Sequence, residues 1–182
     1  MSSAIMFFAY QSASKSGTTD NIDAIKSAIS AINKGNEYIA KSWEDLRHNG
    51  RILVRAILEA IDGCDVFACD LTFLNHNVLF ELGYAISKNK RLFILLNSCY
   101  HDASRNYSSI DILKTVAYSG FKNSNDILTA TSKIPIKAQL LIDLSIYGRN
   151  YSITHDVFYI SNASNSQSEL DTYQLLRQST YQ

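Results

Sequence analysis

Residues 65–96, DVFACDLTFLNHNVLFELGYAISKNKRLFILL, decide the fold. The first six, DVFACD, are apolar on both faces of an extended chain, as in a parallel strand covered on both sides by helices. Residues 72–77 read as a turn. Residues 78–87 then place Val78, Leu82, Ala85 and Ile86 at helical spacing. Residues 91–96, RLFILL, are a second fully apolar run. A strand, a helix and a strand of these lengths make a right-handed parallel crossover. The fold class this predicts is α/β.

The flanking sequence repeats the pattern. Residues 5–10, IMFFAY, read as a buried strand that runs into a Ser/Thr-rich loop at 11–19. Asp20 offers a helix cap, and Ile22, Ile25, Ile29 and Ile32 recur at helical spacing until Asn33-Lys34-Gly35 stops the helix. Residues 36–50 are polar and aromatic and hold the only tryptophan, Trp43. Residues 51–62 predict a second helix ending at Gly63. Beyond Asn97 the pattern is weaker, with a helix expected at 110–118, a short strand at 118–122 and a helix at 124–132. Pro135 marks a break, and 138–144 read as helical. Residues 156–161 and 169–178 predict a further strand and helix.

One ordinary domain is about 150 residues long, so residues 1–150 are expected to form the main domain. Residues 151–182 add a strand and helix. FFAYQSASKS near the start and VFYISNASNS near the end share an order. The tail is therefore either the start of a truncated second copy or the last strand and helix of the first sheet.

Seventeen Lys and Arg balance seventeen Asp and Glu, so no basic face for duplex nucleic acid is implied. Apolar runs such as 66–69 and 92–96 fall well short of the ~20 residues of a membrane-spanning helix. The N-terminus lacks a basic region followed by an apolar stretch, so a cytoplasmic location is expected. Three cysteines read as thiols and four scattered histidines suggest no metal site.

In an open parallel sheet, ligands collect at the carboxyl ends of the strands where the chain order reverses. The loop at 10–19 and the turn at 70–77 should converge there. Neither carries the glycine pattern of a dinucleotide turn or a phosphate loop, so Ser and Thr hydroxyls such as Ser12, Lys15 and backbone amides are left to hold a phosphate. Asn77 is placed to cap the following helix, with Glu81 in its first turn or just beyond. A carboxylate there is stabilised by the helix N-terminus, while Leu79 and Phe80 raise its pKa by desolvation. Glu81 shares a face with Asn77 and Tyr84, away from Val78, Leu82 and Ala85, and so should look into the cleft.

The block at 70–85, DLTFLNHNVLFELGYA, resembles the nucleoside 2-deoxyribosyltransferase-like and TIR-like superfamily. The resemblance spans most of residues 5–125, through the Phe/Tyr-rich first strand, Trp43 and the helix before Cys64-Asp65. It implies a flavodoxin-like, TIR-like open parallel sheet with helices on both faces. It also implies that Glu81 is the catalytic residue and that Asp70 is the aspartate closing the preceding strand. Many such domains cleave the N-glycosidic bond of NAD, nucleosides or nucleotides, and bacterial TIR-like ones often serve antiphage defence. The transferases usually follow the first strand with Gly-Pro. Here Ala9-Tyr10-Gln11-Ser12 stands instead, which favours the TIR-like reading.

Breaking a ribosyl C–N bond builds positive charge on the sugar, which a carboxylate stabilises or captures covalently. Nicotinamide leaves NAD from a cationic state and needs no general acid, whereas a neutral base needs protonation. Besides Glu81, the block offers only Asp70 and His76 as acids. The expected activity is hydrolysis of NAD, a substrate rather than a cofactor. The alternatives are a nucleoside 2-deoxyribosyltransferase or nucleotide N-glycosidase, and a non-catalytic nucleotide-binding or self-association module. Asn75, Asn77 and Asp70 are candidates for ribose hydroxyls, although Asp70 is equally suited to orient the turn and Asn77 to cap the helix. Tyr10 and Trp43 are candidates to stack on a base, or are core. A nucleotide-sized small molecule is the expected partner. Self-association, or fusion to a further domain after Gln182, is expected to complete an otherwise weakly active cleft.

Overall fold

Apolar runs long enough for a strand, alternating with amphipathic helices, build one parallel sheet. The computed structural model describes residues 3–12, 19–46 and 53–134. These fall in the first of the two units into which the chain divides, Met1–Asp143 and Leu144–Gln182. The elements expected at 138–144 and 151–182, with the boundary near residue 150, lie outside the described residues.

The strands are β1 (Ala4–Ala9), β2 (Tyr38–Ser42), β3 (Val66–Asp70), β4 (Arg91–Asn97) and β5 (Ser119–Phe121). The helices are α1 (Thr19–Ile32), α2 (Leu53–Gly63), α3 (His76–Ser87), α4 (Ala103–Ser108) and α5 (Ser124–Thr131). All pairings are parallel, in the order β2-β1-β3-β4-β5. That is the flavodoxin-like order, an open α/β sheet whose direction of winding reverses between β1 and β3.

Both faces are covered. On one side Met6, Phe8, Val66, Ala68, Phe93 and Leu95 pack under α1 and α5. On the other, Phe7, Ala9, Phe67, Cys69, Ile94 and Leu96 pack under α2, α3 and α4. Alternate residues of each central strand serve opposite cores, because side chains along a strand alternate in direction.

Two elements depart from expectation. Residues 38–42, within a stretch expected to be irregular, form the edge strand β2. Its side chains alternate buried and exposed because only the α1 side is covered. The helix expected at 110–118 is instead a short 3-10 turn, Asp111–Thr115, preceded by α4.

The outer edge of β2 is closed by side chains. Asn33 accepts from the Ala40 N–H at 2.8 Å and donates to the Ala40 carbonyl at 2.9 Å, as a neighbouring strand would. Asp45 accepts from the Ser42 N–H at 2.7 Å. No helix among the described residues is long and apolar enough to cross a membrane.

Candidate active site

The sheet order reverses between β1 and β3, and in open sheets such a reversal is where ligands bind, outside the carboxyl ends of the strands and next to the segments that follow Ala9 and Asp70. Asp70 is the last residue of β3. Its strand phase matches Val66 and Ala68, which directs it to the α1 side. Buried there, it accepts from the Thr72 N–H at 3.0 Å, from the Thr72 hydroxyl, and from the side-chain amide of Asn21 in α1.

The partners continue the pattern. Asn97, at the end of β4, donates its side-chain N–H to Asn21 Oδ1 at 2.9 Å, and its backbone N–H reaches the Thr72 hydroxyl at 2.8 Å. Asp70, Thr72, Asn97 and Asn21 thus form a closed, buried ring that ties β3, β4 and α1 together. Burial raises the Asp70 pKa above the ordinary carboxylate value, while bonds from Thr72 and Asn21 pull it back. The ring favours the turn-orienting reading of Asp70. Asn21, Thr72 and Asn97 were not singled out from sequence. Only the Asp-x-Thr spacing, a common side-chain-to-backbone turn, hinted at them.

The turn held by this ring is strained. Leu74 has a φ of +46°, the left-handed region that a bulky residue adopts at a cost of about 1–3 kcal/mol. That bend lets the next residue start the helix. Asn75, not Asn77, is the cap: its Oδ1 accepts from the N–H groups of Asn77 at 3.0 Å and Val78 at 3.4 Å. Asn77 and His76 are exposed in the first turn. The expected cap was two residues late because the turn is tighter than the polar run suggested.

The shift moves Glu81 into the second turn of α3. It shares the buried stripe of Val78, Leu82 and Ala85, rather than lying away from it as expected. The helical rotation of about 100° per residue puts Glu81 only about 40° from both Ala85 and Asn77, on the border of that stripe. Glu81 is 9% exposed, and its charge reaches the fully buried thiol of Cys69 in β3, whose pKa burial raises well above normal. Glu81 therefore approaches the strand end from the α2/α3 side, opposite the Asp70 ring. Its carboxylate makes no hydrogen bond or ion pair to any described residue. Desolvation alone lifts its pKa from 4.5 to about 7.

Tyr10 is 4% exposed, with its ring 6.1 Å from that of Trp43 and its hydroxyl at Ser42. Tyr10 belongs to the core under α1, which favours the packing role over stacking on a base. Trp43 is half-buried and touches both cores. Ser12 is exposed at the cleft loop, and Lys15 lies outside the described residues. A separate hollow of about 390 Å³ sits over the mid-strand residues Ile5 and Phe7, walled by Lys41, Leu46 and Ala56, rather than at the strand ends. Among the described residues no group of three His, Cys, Asp or Glu side chains is placed to hold a metal ion.

The fold is an open α/β domain, and its helix α3 carries a nearly buried carboxylate with no partner among the described residues. No family model matches the sequence, and no curated protein matches it. Solved structures do. The CMP N-glycosidase BcmB of Clostridium botulinum is 16% identical over 71% of this chain and 98% of its own, with a TM-score of 0.48. A 2-deoxyribosyltransferase from Leishmania mexicana is 23% identical over 51% of this chain and 64% of its own, at 0.41. A conserved protein from Enterococcus faecalis is 12% identical over 72% and 98%, at 0.48. At these identities the likeness is one of fold.

Proposed function

We propose that the protein is an N-glycosidase that breaks a ribosyl C–N bond, with Glu81 as the carboxylate facing C1′ and NAD as the substrate. The observation that carries this reading is a nearly buried carboxylate with no partner among the described residues, in the second turn of the helix that follows β3. Desolvation penalises its charged form, and carboxyl groups perturbed in this way cluster at functional sites.

In the proposed reaction Glu81 attacks C1′ as the C–N bond breaks, and the bonding pair leaves on the nicotinamide nitrogen, neutralising it. Water then hydrolyses the glycosyl ester, releasing ADP-ribose and a proton and restoring Glu81. Alternatively Glu81 stabilises the oxocarbenium charge while water attacks directly. Either way it must be ionised. NAD suits the site because no second acid stands beside Glu81 among the described residues. Asp70 belongs to the opposite face, and His76 is exposed.

One observation favours a second reading, cleavage of a neutral nucleoside or nucleotide base. A carboxyl group with its pKa near 7 can itself carry the proton such a base needs. The two readings differ in sign. With Glu81 ionised in its working state, kcat/KM rises with pH through about 7. With Glu81 as the acid, it falls through the same range.

The test is base release from NAD, deoxynucleosides and nucleoside monophosphates by the full chain. We expect nicotinamide release, lowered about 10²-fold or more by Glu81→Gln. A folded Glu81→Gln protein with undiminished release would sink the assignment.

A further inference from the structure

Among the described residues two buried side-chain polar atoms have no hydrogen-bond partner, and both lie just past the ends of strands: Gln11 Nε2 after β1 and Trp43 Nε1 after β2. Each follows the carboxyl end of its strand. Phe8 of β1 pairs with Ser42 of β2, so Trp43 comes one residue after that pair and Gln11 three residues after it. The packing of Tyr10 on Trp43 holds the two segments together. Gln11 leaves β1 in the phase of Phe7 and Ala9, which serve the α2/α3 side. Glu81 approaches the strand ends from that same side.

Buried N–H donors are rarely left unmade, because the lost hydration is not repaid. Two such donors just past the ends of adjacent strands have a common explanation. We propose that Gln11 and Trp43 form a two-donor subsite that reads a neutral acceptor, a carbonyl oxygen or ring nitrogen, on the base released by the enzyme. Both donors are uncharged, which suits a carboxamide or nucleobase edge better than a phosphate, whose strong recognition uses charged donors. Trp43 thus acts through its N–H edge rather than by stacking. This deepens the N-glycosidase reading and rests on it for the nature of the bound group.

Trp43 is the only tryptophan in the chain, so its fluorescence and its indole N–H resonance report this subsite without a label. The probes are nicotinamide mononucleotide and deoxyinosine, each beside its analogue lacking the carbonyl. We expect each carbonyl-bearing probe to shift the indole resonance and to bind at least about tenfold more tightly than its analogue, a loss that one orphaned donor accounts for. Gln11→Met, which keeps length and shape but removes the amide, should erase most of that preference. Gln11→Leu is the second variant should Met fold poorly.

Three results would overturn the proposal. One is equal affinity for probe and analogue, and another is no binding by either carbonyl probe at millimolar concentration. The third is an indole resonance that moves on Gln11→Met in the ligand-free protein, which would mean that amide and indole serve each other. Binding is read separately from turnover, so the two readings fail separately. Selective binding without base release sinks the Glu81 assignment alone. Base release with no selectivity lost in Gln11→Met sinks the subsite alone.

Discussion

Asp70 and Glu81 are both buried carboxylates, one ending β3 and the other in the helix that follows it, yet they occupy opposite environments. Asp70 faces α1 within a ring of Asn21, Thr72 and Asn97 that uses both of its oxygens. Glu81 faces the α2/α3 side and has no described partner. Burial raises both pKa values, but only at Asp70 do hydrogen bonds oppose the rise. The contrast teaches that burial alone does not mark a reactive carboxylate. A satisfied one ties neighbouring elements together, as Asp70 ties β3 to α1, whereas Glu81 has no such task among the described residues.

The sharpest way to break that contrast is to remove Asp70. Asp70→Ala leaves Asn21 and both Thr72 donors unpaired and should destabilise the protein by about 3–5 kcal/mol in urea unfolding. If it costs no more than Glu81→Gln does, the ring is not the structural half of the pair.

The next effect is a pH slope belonging to Glu81. Its folded pKa, about 7, lies above its ordinary value of 4.5. Between those values the unfolded chain has lost the proton and the folded protein still holds it. Stability should therefore fall as pH rises through this window, by up to about 3 kcal/mol, and level off above it. Glu81→Gln should remove that component of the slope, and above pH 7 it should be at least as stable as the wild type. A wild-type and variant pair with identical pH profiles of unfolding would show that Glu81 is solvated after all.

The smallest effect separates the two asparagines of the turn. Asn75→Ala removes the cap and should cost about 1 kcal/mol, whereas Asn77→Ala, exposed in the first turn, should cost a few tenths. Equal losses in thermal or urea unfolding would return Asn77 to the capping role that the sequence suggested.

How much was readable in advance follows from the same physics. The central strands β1, β3 and β4 announced themselves because residues apolar on both faces have few other places in a soluble fold. β2 did not, since Ile39 and Lys41 lie on its uncovered side and leave only Tyr38, Ala40 and Ser42 as a broken signal. Glu81 stood out by its place in a polar-to-helix transition. Its true face depended on where the helix began, and that was set by the left-handed turn at Leu74, which composition does not show. The ring was invisible because Asn21, Thr72 and Asn97 are ordinary polar residues far apart in the chain. Only closure of the sheet brings them together. The same holds for Gln11 and Trp43, whose unmet donors exist only once their surroundings are packed.

The side-chain lining of β2 has a consequence for the protein in a crowded solution. An open parallel sheet ordinarily presents a row of unmet amides to any extended chain that drifts past, and so invites sheet-to-sheet growth. Here Asn33 and Asp45 have already claimed the outward N–H groups of Ala40 and Ser42. An incoming strand must displace two bonds within the chain before making its first, which puts a barrier at the first step of accretion. Shortening Asn33 to alanine would lift that barrier at Ala40 without touching the turn that carries Trp43, turning a self-limited sheet into one that recruits its own copies as it is concentrated or warmed.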